Sequence, residues 1–121
     1  GRGEVLDALV GVILSQNTTD NTSARAFAKL KEGYPTWEDV RTADTEGLVE
    51  AVRCGGLADI KIGRIKAILQ TVYEERGECS LEHLHGLPDD EVKKQLGRFK
   101  GVGPKSVACV LMFHLGRDEF P

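Results

Sequence analysis

The sequence predicts a single all-α domain, residues 1–121, with short connections between its helices. Apolar residues recur at helical spacing in most segments, as Leu6, Leu9 and Ile13 do in the first. Gly, Pro and short polar residues separate these segments, and no stretch alternates between apolar and polar residues as a half-buried strand would. With 121 residues, 40% of them hydrophobic, the chain is long enough to bury one core.

Four helices are predicted in the first half: about 3–15, one ending by residue 33, one capped at residue 36, and one from about 44 to 55–56. The polar run at 15–20 ends the first helix, because short polar side chains compete for backbone hydrogen bonds and favour caps and turns. Thr36 and Asp39 have the spacing of a capping box, with Trp37 as the anchor of that helix.

The second half predicts a long helix followed by a helical hairpin. The long helix ends at Gly77 and is expected to bury seven side chains: Ile60, Ile62, Ile65, Ile68, Leu69, Val72 and Tyr73. Ser80 caps a brief turn. Pro88 starts the next helix, with acidic residues at 89–91 where the helix dipole favours them. The last helix is predicted over 104–115, with four residues facing inward: Val107, Val110, Leu111 and Leu115.

The charge is unevenly distributed along the chain. A formal net charge of −3 is unusual for a nucleic-acid-binding domain. However, five cations and no acid lie between residues 92 and 105: Lys93, Lys94, Arg98, Lys100 and Lys105. Residues 74–91 hold seven acids and one arginine. A charge run alone is more typical of a solvated helix face, yet this one predicts a positive patch around the hairpin.

Composition argues against several other classes of protein. Cys54, Cys79 and Cys109 are far apart and form no Cys-x-x-Cys pair, which predicts reduced thiols in an intracellular protein and no zinc or iron–sulphur site. No apolar run approaches the roughly 20 residues of a membrane span, and the first residues lack the pattern of a signal peptide. The spacing of the three histidines predicts no metal or catalytic histidine site.

The most informative stretch is 99–106, Phe-Lys-Gly-Val-Gly-Pro-Lys-Ser. Gly101 and Gly103 permit a tight turn, and Pro104 suits the first position of a helix. Backbone N–H groups at that helix end predict a phosphate site. Lys105 is predicted to be partly buried with a lowered pKa, and so to be a nucleophile able to form a Schiff base. On these residues alone, a plain helix–helix turn and a lysine that only contacts phosphate remain open.

Four stretches of the chain match motifs that occur together in one protein family. Residues 14–20, Leu-Ser-Gln-Asn-Thr-Thr-Asp, resemble a Leu-Ser-x-Gln-x-Thr-Asp loop. Residues 54–66 resemble an Ile-Gly-Leu-x-x-x-Lys-Ala segment, 87–96 the first helix of a hairpin, and 101–106 a Gly-Val-Gly-x-Lys-Thr motif. In order and spacing, over essentially the whole chain, the four stretches resemble the helix-hairpin-helix (HhH-GPD) DNA glycosylases, the superfamily of endonuclease III and of the plant 5-methylcytosine glycosylases, and are nearest to plant-like members.

The resemblance implies a six-helix barrel-like domain with a helix-hairpin-helix motif at about 89–115. It implies a monomeric, intracellular and nuclear base-excision glycosylase with AP lyase activity, whose partner is double-stranded DNA with a damaged, modified or abasic site. A non-enzymatic DNA-binding hairpin module is the alternative. A third reading is a helical protein-interaction domain that presents the acidic residues 74–91 to a basic partner.

The resemblance also implies roles for individual residues. Lys105 matches the lysine that attacks C1′ of the damaged nucleoside. Asn17 aligns with the glutamine that fills the gap left by the extruded base, with Gln16 beside it. The remaining DNA-binding positions are Lys100, Gly101, Val102, Gly103 and Ser106. The carbonyls that fall where such hairpins bind an alkali ion are those of Gly97, Phe99 and Val102.

Two departures from the family pattern stand out. Phe99-Lys100 replaces the usual Leu-Pro before the hairpin glycine. The family's catalytic aspartate lies in a Val-Asp-Thr segment expected immediately after Pro121, and its four-cysteine [4Fe-4S] loop later still. The chain is therefore expected to be a fragment with no cofactor of its own and little glycosylase turnover, although a cluster is possible in the full-length protein.

Overall fold

In the computed structural model, residues 4–114 are described, and their side chains as far as Met112. Within this range seven α-helices follow one another: α1 Val5–Ser15, α2 Asp20–Gly33, α3 Trp37–Thr42, α4 Thr45–Val52, α5 Ala58–Arg76, α6 Asp89–Gly97 and α7 Pro104–Cys109. Short 3₁₀ turns lie at Arg53–Gly55 and Glu82–Gly86, and α7 continues into a π-helical turn, Val110–His114. No strand occurs in this range, so the all-α prediction is confirmed. The predicted inward position of Leu115 lies outside the described residues.

Helix α1 lies at the centre of the fold. Six of its residues are buried: Val5, Leu6, Leu9, Val10, Ile13 and Leu14. It contacts α2, α5, α7 and the π-helical turn. Its first turn is held by a capping box between Glu4 and Asp7, and the Val5 amide donates to Glu82 Oε2 at 2.6 Å. Because the first amides of a helix lack intrahelical partners, the Glu82 carboxylate ties the second half of the chain to the start of α1.

Trp37 fastens α3 to the core, as the sequence predicts. The ring is 2% exposed, and its Nε1–H donates to Asp7 Oδ1 at 2.8 Å. Phe27 meets it edge-on with ring centroids 6.1 Å apart, and Lys31 Nζ lies 4.2 Å from the ring centroid. The predicted capping box of Thr36 with Asp39 is present and starts this short helix.

The predicted buried side of α5 is wrong at two positions. Ile60 is 51% exposed and Tyr73 is 37% exposed, whereas Lys61 is buried at 2% exposure. The buried stripe recurs every three or four residues: Ala58, Ile62, Ile65, Ile68, Leu69 and Val72. Ile60 and Tyr73 fall beside that stripe, and the Tyr73 ring lies instead under the Arg41 guanidinium at 3.7 Å.

All three cysteines are free thiols with partly exposed side chains. Over residues 4–114, no group of three or more His, Cys, Asp or Glu side chains is placed to hold a metal ion. The same range contains no helix that is both long and apolar enough to span a bilayer.

Cys79 offers a test of the electrostatics at the contact between α3 and α5. Burial and the neighbouring Glu38 carboxylate raise the pKa of its thiol to about 11, with Sγ 3.2 Å from Glu38 Oε2. Because the thiolate is the reactive form, Glu38→Gln is expected to lower this pKa and speed alkylation of Cys79 by iodoacetamide near pH 9. Peptide mass spectrometry measures the rate. Glu50→Gln, which breaks the exposed Glu50–Arg53 pair, is the control and should change nothing. Equal Cys79 rates in all three proteins would contradict this assignment.

Candidate functional site

The hairpin between α6 and α7 is built from a tight turn with two apolar anchors. Phe99 and Val102 are buried, at 8% and 4% exposure, and the Val102 amide donates to Phe99 O at 3.0 Å. Gly103 precedes α7, and its carbonyl accepts from the Val107 amide at 3.0 Å. The chain therefore reverses direction where the sequence predicts it and starts a new helix at Pro104.

Gly101 is favoured at this turn by its backbone conformation. Its φ is +89°, a region that residues with a side chain rarely adopt. The far end of the Arg64 side chain packs against this bare backbone, and a Cβ on Gly101 would lie 2.6 Å from Arg64 Cδ and 2.9 Å from Arg64 Nε. An added side chain would therefore strain the backbone and displace the flexible end of Arg64.

Gly101→Ala is expected to lower the free energy of unfolding by about 1–2 kcal/mol, the cost of a left-handed L-residue, with any displacement of Arg64 adding to it. Urea denaturation measures the change. Gly97→Ala is the matched control, because a Cβ on Gly97 meets nothing within 4 Å and alanine favours helix. A Gly101→Ala protein as stable as Gly97→Ala would show that the turn tolerates a side chain.

The loop after α1 contacts this hairpin directly. Gln16 Nε2 donates to Gly101 O at 2.9 Å, joining residues 85 positions apart. The next residue, Asn17, is exposed and has φ +58°, a conformation that asparagine tolerates better than most residues. Gln16 is therefore engaged in holding the loop to the hairpin, while Asn17 is presented to solvent beside it.

Lys105 lies in the first turn of α7 and is exposed, so the expectation that it is partly buried is wrong. The buried side of this segment runs through Val107, Val110 and Leu111, and Lys105 stands off that face. Lys100 and Gly103 are also exposed, and Ser106 is half-buried. The hairpin thus offers two lysines to solvent close to the free amides at the start of α7.

The positive charge at the hairpin differs from the sequence prediction. Arg98 donates to both carboxylate oxygens of Glu75, at 2.6 and 2.8 Å, and this pairing holds the pKa of Glu75 below its usual range. Lys100, Lys105 and the half-buried Arg64 add positive charge there, beside the exposed Lys93 and Lys94 of α6. Arg64 could not be predicted at this site from the sequence, because its contact with Gly101 joins segments 37 positions apart.

A groove of about 680 Å³ runs between α5 and the hairpin. Its walls are largely apolar, including Ile60, Ile68 and Phe99, and the cations Arg64, Arg98 and Lys100 also line it. At the start of α5, Leu57 is 49% exposed with φ +52°. Asn17 and Leu57 are the two non-glycine residues with positive φ within residues 4–114. In the sequence, Gly55-Gly56 marks the loop before α5. The exposure of Leu57 in that loop is seen only in the folded chain.

An alkali ion is predicted on the carbonyls of Gly97, Phe99 and Val102. Phe99 O accepts the Val102 amide, and a carbonyl oxygen keeps a second lone pair for another partner. A set of carbonyl oxygens suits a hard cation. The site formed with Gly97 and Val102 stays a prediction.

A family profile described as HhH-GPD superfamily base excision DNA repair protein matches residues 10–119. The chain belongs to the HhH-GPD superfamily. The resemblance found in the sequence is thereby confirmed.

Several HhH-GPD relatives share the sequence. A protein of Arabidopsis thaliana, provisionally named a DNA glycosylase, is 54% identical over 117 residues, which cover 97% of this chain and 40% of that protein. The DNA glycosylase/AP lyase ROS1 of Arabidopsis thaliana is 33% identical over 85 residues, 70% of this chain and 6% of ROS1. Endonuclease III of Sulfolobus acidocaldarius is 29% identical over 119 residues, 97% of this chain and 51% of that enzyme. The HhH-GPD chain therefore spans about half of these relatives or less.

A solved structure shows the same fold. The Helicobacter pylori 3-methyladenine DNA glycosylase MagIII, bound to 1,N6-ethenoadenine, superposes with a TM-score of 0.72 at 20% identity. The superposition covers 92% of this HhH-GPD chain and 53% of MagIII. At this identity the likeness supports the fold and leaves the chemistry to be argued from the residues.

Proposed function

We propose that this chain is the DNA-binding helical part of a nuclear, monomeric base-excision DNA glycosylase with AP lyase activity. One observation carries the proposal: the Gln16–Gly101 hydrogen bond joins the Asn17 loop to the hairpin from which Lys105 projects. Membership of a family of base excision DNA repair proteins supports the same reading.

The hairpin residues would hold the DNA backbone next to the lesion. Amides at a turn and at the start of a helix are suited to a phosphate, and contacts of this kind position a duplex without reading its sequence. Lys100, Gly101, Gly103 and Ser106 are the residues proposed for this role, while the Val102 amide already donates to Phe99 O and shapes the turn. An alkali ion on the carbonyls of Gly97, Phe99 and Val102 would add positive charge at the same turn.

Asn17 is proposed to fill the gap left by the target base. A base stacked in a duplex is unreachable, so it must be extruded before chemistry can occur. Asn17 is exposed at a loop that Gln16 fastens to the hairpin, which suits a side chain that enters the duplex. Gln16 would then act as the support of this loop and Asn17 as the inserted group.

Lys105 is proposed as the covalent nucleophile. Its amine attacks C1′, the N-glycosidic bond breaks, and the base leaves with that electron pair and takes up a proton. At an abasic site the amine adds to the C1′ aldehyde and water leaves, giving an iminium. Loss of a proton from C2′ then expels the 3′ phosphate.

The 121 residues contain no Val-Asp-Thr segment, whose carboxylate would stabilise the cationic sugar. We therefore propose that the 121-residue chain forms Schiff bases at abasic sites weakly and excises bases little. The three cysteines do not provide the four thiolates of a [4Fe-4S] cluster. A cluster in a full-length protein is accordingly assigned no role in the steps above.

Borohydride trapping tests the proposed function. The chain, and the complete gene product that contains it, are incubated with an abasic duplex or an intact duplex of the same sequence. We expect a reduced covalent adduct with the abasic duplex only. Salt-dependent binding without an adduct would instead favour a non-enzymatic binding module. If the complete gene product fails to bind either duplex at low salt, the proposal is wrong.

A further inference from the structure

Lys61 is the one charged side chain that is buried within the described residues, at 2% exposure. Its Nζ donates to Leu14 O at 2.9 Å and to Gly55 O at 3.0 Å. These two carbonyls belong to the last turn of α1 and to the 3₁₀ turn before α5, 47 and six positions away along the chain. A single ammonium therefore cross-links two segments that the backbone does not otherwise join.

The first of these segments is the end of α1. The last four carbonyls of a helix lack intrahelical partners. Here the Ser15 hydroxyl donates to Val12 O, the Gln16 amide to Ile13 O, and the Thr18 amide to Ser15 O. Leu14 O receives its bond from Lys61. Loss of the ammonium would thus leave Leu14 O without its partner at the point where the Asn17 loop begins.

The second segment is the 3₁₀ turn that leads into α5. Gly55 O, at the end of that turn, accepts from Lys61 Nζ, and Leu57 O accepts from the Lys61 amide at 2.9 Å. Gly56 and Leu57 both have positive φ, so the turn has an unusual backbone shape that contacts must maintain. The Lys61 side chain therefore bonds the end of the 3₁₀ turn, and the Lys61 amide makes the first intrahelical bond of α5, to Leu57 O.

We propose that Lys61 is a positioning residue that sets the spacing between the Asn17 loop, residues 15–19, and the Leu57 loop, residues 53–57. The inference rests on the proposed function, in which the Asn17 loop enters the duplex as the base is extruded. A compact ammonium with three donors can bond two carbonyls at once, which an apolar side chain of the same length cannot. Burying an ionised group is costly, so a lysine here is consistent with a need for this geometry rather than for packing alone.

Burial also lowers the pKa of Lys61. The charged form that makes both bonds is thus held against a desolvation penalty.

Hydrogen exchange without DNA tests the positioning directly. Lys61→Met keeps the length and removes the donors, so amides in both loops are expected to exchange about tenfold faster as the carbonyls lose their partner. Lys66→Met is the matched control, because Lys66 Nζ also donates to a backbone carbonyl, that of Ala43, from the same helix. It should leave both loops unchanged. Wild-type exchange in the loops of Lys61→Met would overturn the inference whatever the protein does to DNA.

A second readout uses the complete gene product and a duplex with 2-aminopurine beside an abasic site. Lys61→Met is expected to reduce about tenfold the fluorescence rise that follows when the Asn17 loop enters the duplex and unstacks 2-aminopurine, while Kd for intact duplex stays within about twofold, because the hairpin phosphate contacts are untouched. A normal fluorescence rise in Lys61→Met would overturn the inference. A wild-type protein that neither opens nor traps the abasic duplex would instead overturn the proposed function and leave the exchange result standing.

Lys61→Arg is a second variant that tests the same role if the Lys61→Met protein does not fold. It keeps donors for both carbonyls on a bulkier head group and should retain the wild-type helical circular dichroism. We expect faster exchange in both loops, less than in Lys61→Met, with a reduced opening signal. A positioning role would be contradicted if Lys61→Arg had the wild-type exchange rates and the wild-type fluorescence rise, and if a folded Lys61→Met protein also had wild-type exchange rates in both loops.

Discussion

Lys105→Ala is expected to lower the yield of the borohydride-trapped adduct by roughly two orders of magnitude or more, because it removes the amine that forms the covalent bond. Lys94→Ala is the matched control: it removes an exposed lysine of α6 from the same basic stretch and should change the yield less than about twofold. Gel analysis of the adduct on an abasic duplex gives both numbers. An adduct that survives Lys105→Ala would reject this lysine as the nucleophile.

The same variant separates chemistry from binding and from folding. Lys105 is exposed, so its replacement should change the free energy of unfolding by no more than about 0.5 kcal/mol. The slope of log Kd against log salt concentration should become shallower by the equivalent of about one phosphate contact, because one cation is lost. A large loss of stability in Lys105→Ala would mean that the lower yield of adduct reflects unfolding and not the loss of the nucleophile.

Trp37→Ala is expected to lower the free energy of unfolding by about 3–5 kcal/mol, the cost of removing a large buried aromatic side chain. The ring is almost fully buried, contacts Phe27 and Lys31, and donates its Nε1–H to Asp7. Urea or thermal denaturation measures the change. Ile60→Ala, at a side chain 51% exposed on α5, is the control and should cost less than about 1 kcal/mol.

Trp37→Phe divides this effect into two parts. Phenylalanine keeps a ring but leaves Asp7 Oδ1 without the indole donor, so we expect a loss of about 1–3 kcal/mol. The Asp7 carboxylate also accepts a hydrogen bond from the Glu4 amide in the capping box of α1. Disturbing this carboxylate therefore also disturbs the start of the central helix. A Trp37→Ala protein as stable as Ile60→Ala would show that α3 contributes little to the core.

The helix order could be predicted because local signals mark most of the helix ends. The capping box at Thr36 and the proline that opens α7 act within one turn of the chain, and both are present. The buried side of α5 could not be predicted fully. Its apolar residues are too many for one stripe, and contacts with other helices decided that Ile60 lies outside while Lys61 lies inside.

The candidate site could likewise be predicted only in part. The hairpin and its glycines are encoded by neighbouring residues, and the turn at Gly101 has the positive φ that glycine permits. The Gln16–Gly101 bond and the packing of Arg64 on Gly101 join distant segments, so only the folded chain reveals them. Exposure of Lys105 likewise depends on which face of α7 the core covers. Its role, with that of Asn17, stays a prediction from the family motif.

The most direct measurement is the position of the covalent bond itself. The reduced complex with an abasic duplex is digested, and mass spectrometry locates the lysine that carries the sugar remnant. We expect the remnant on Lys105, in a peptide that begins after Lys100. A remnant found on Lys94, Lys100 or Lys61 instead would contradict the claim that the hairpin delivers Lys105 to C1′.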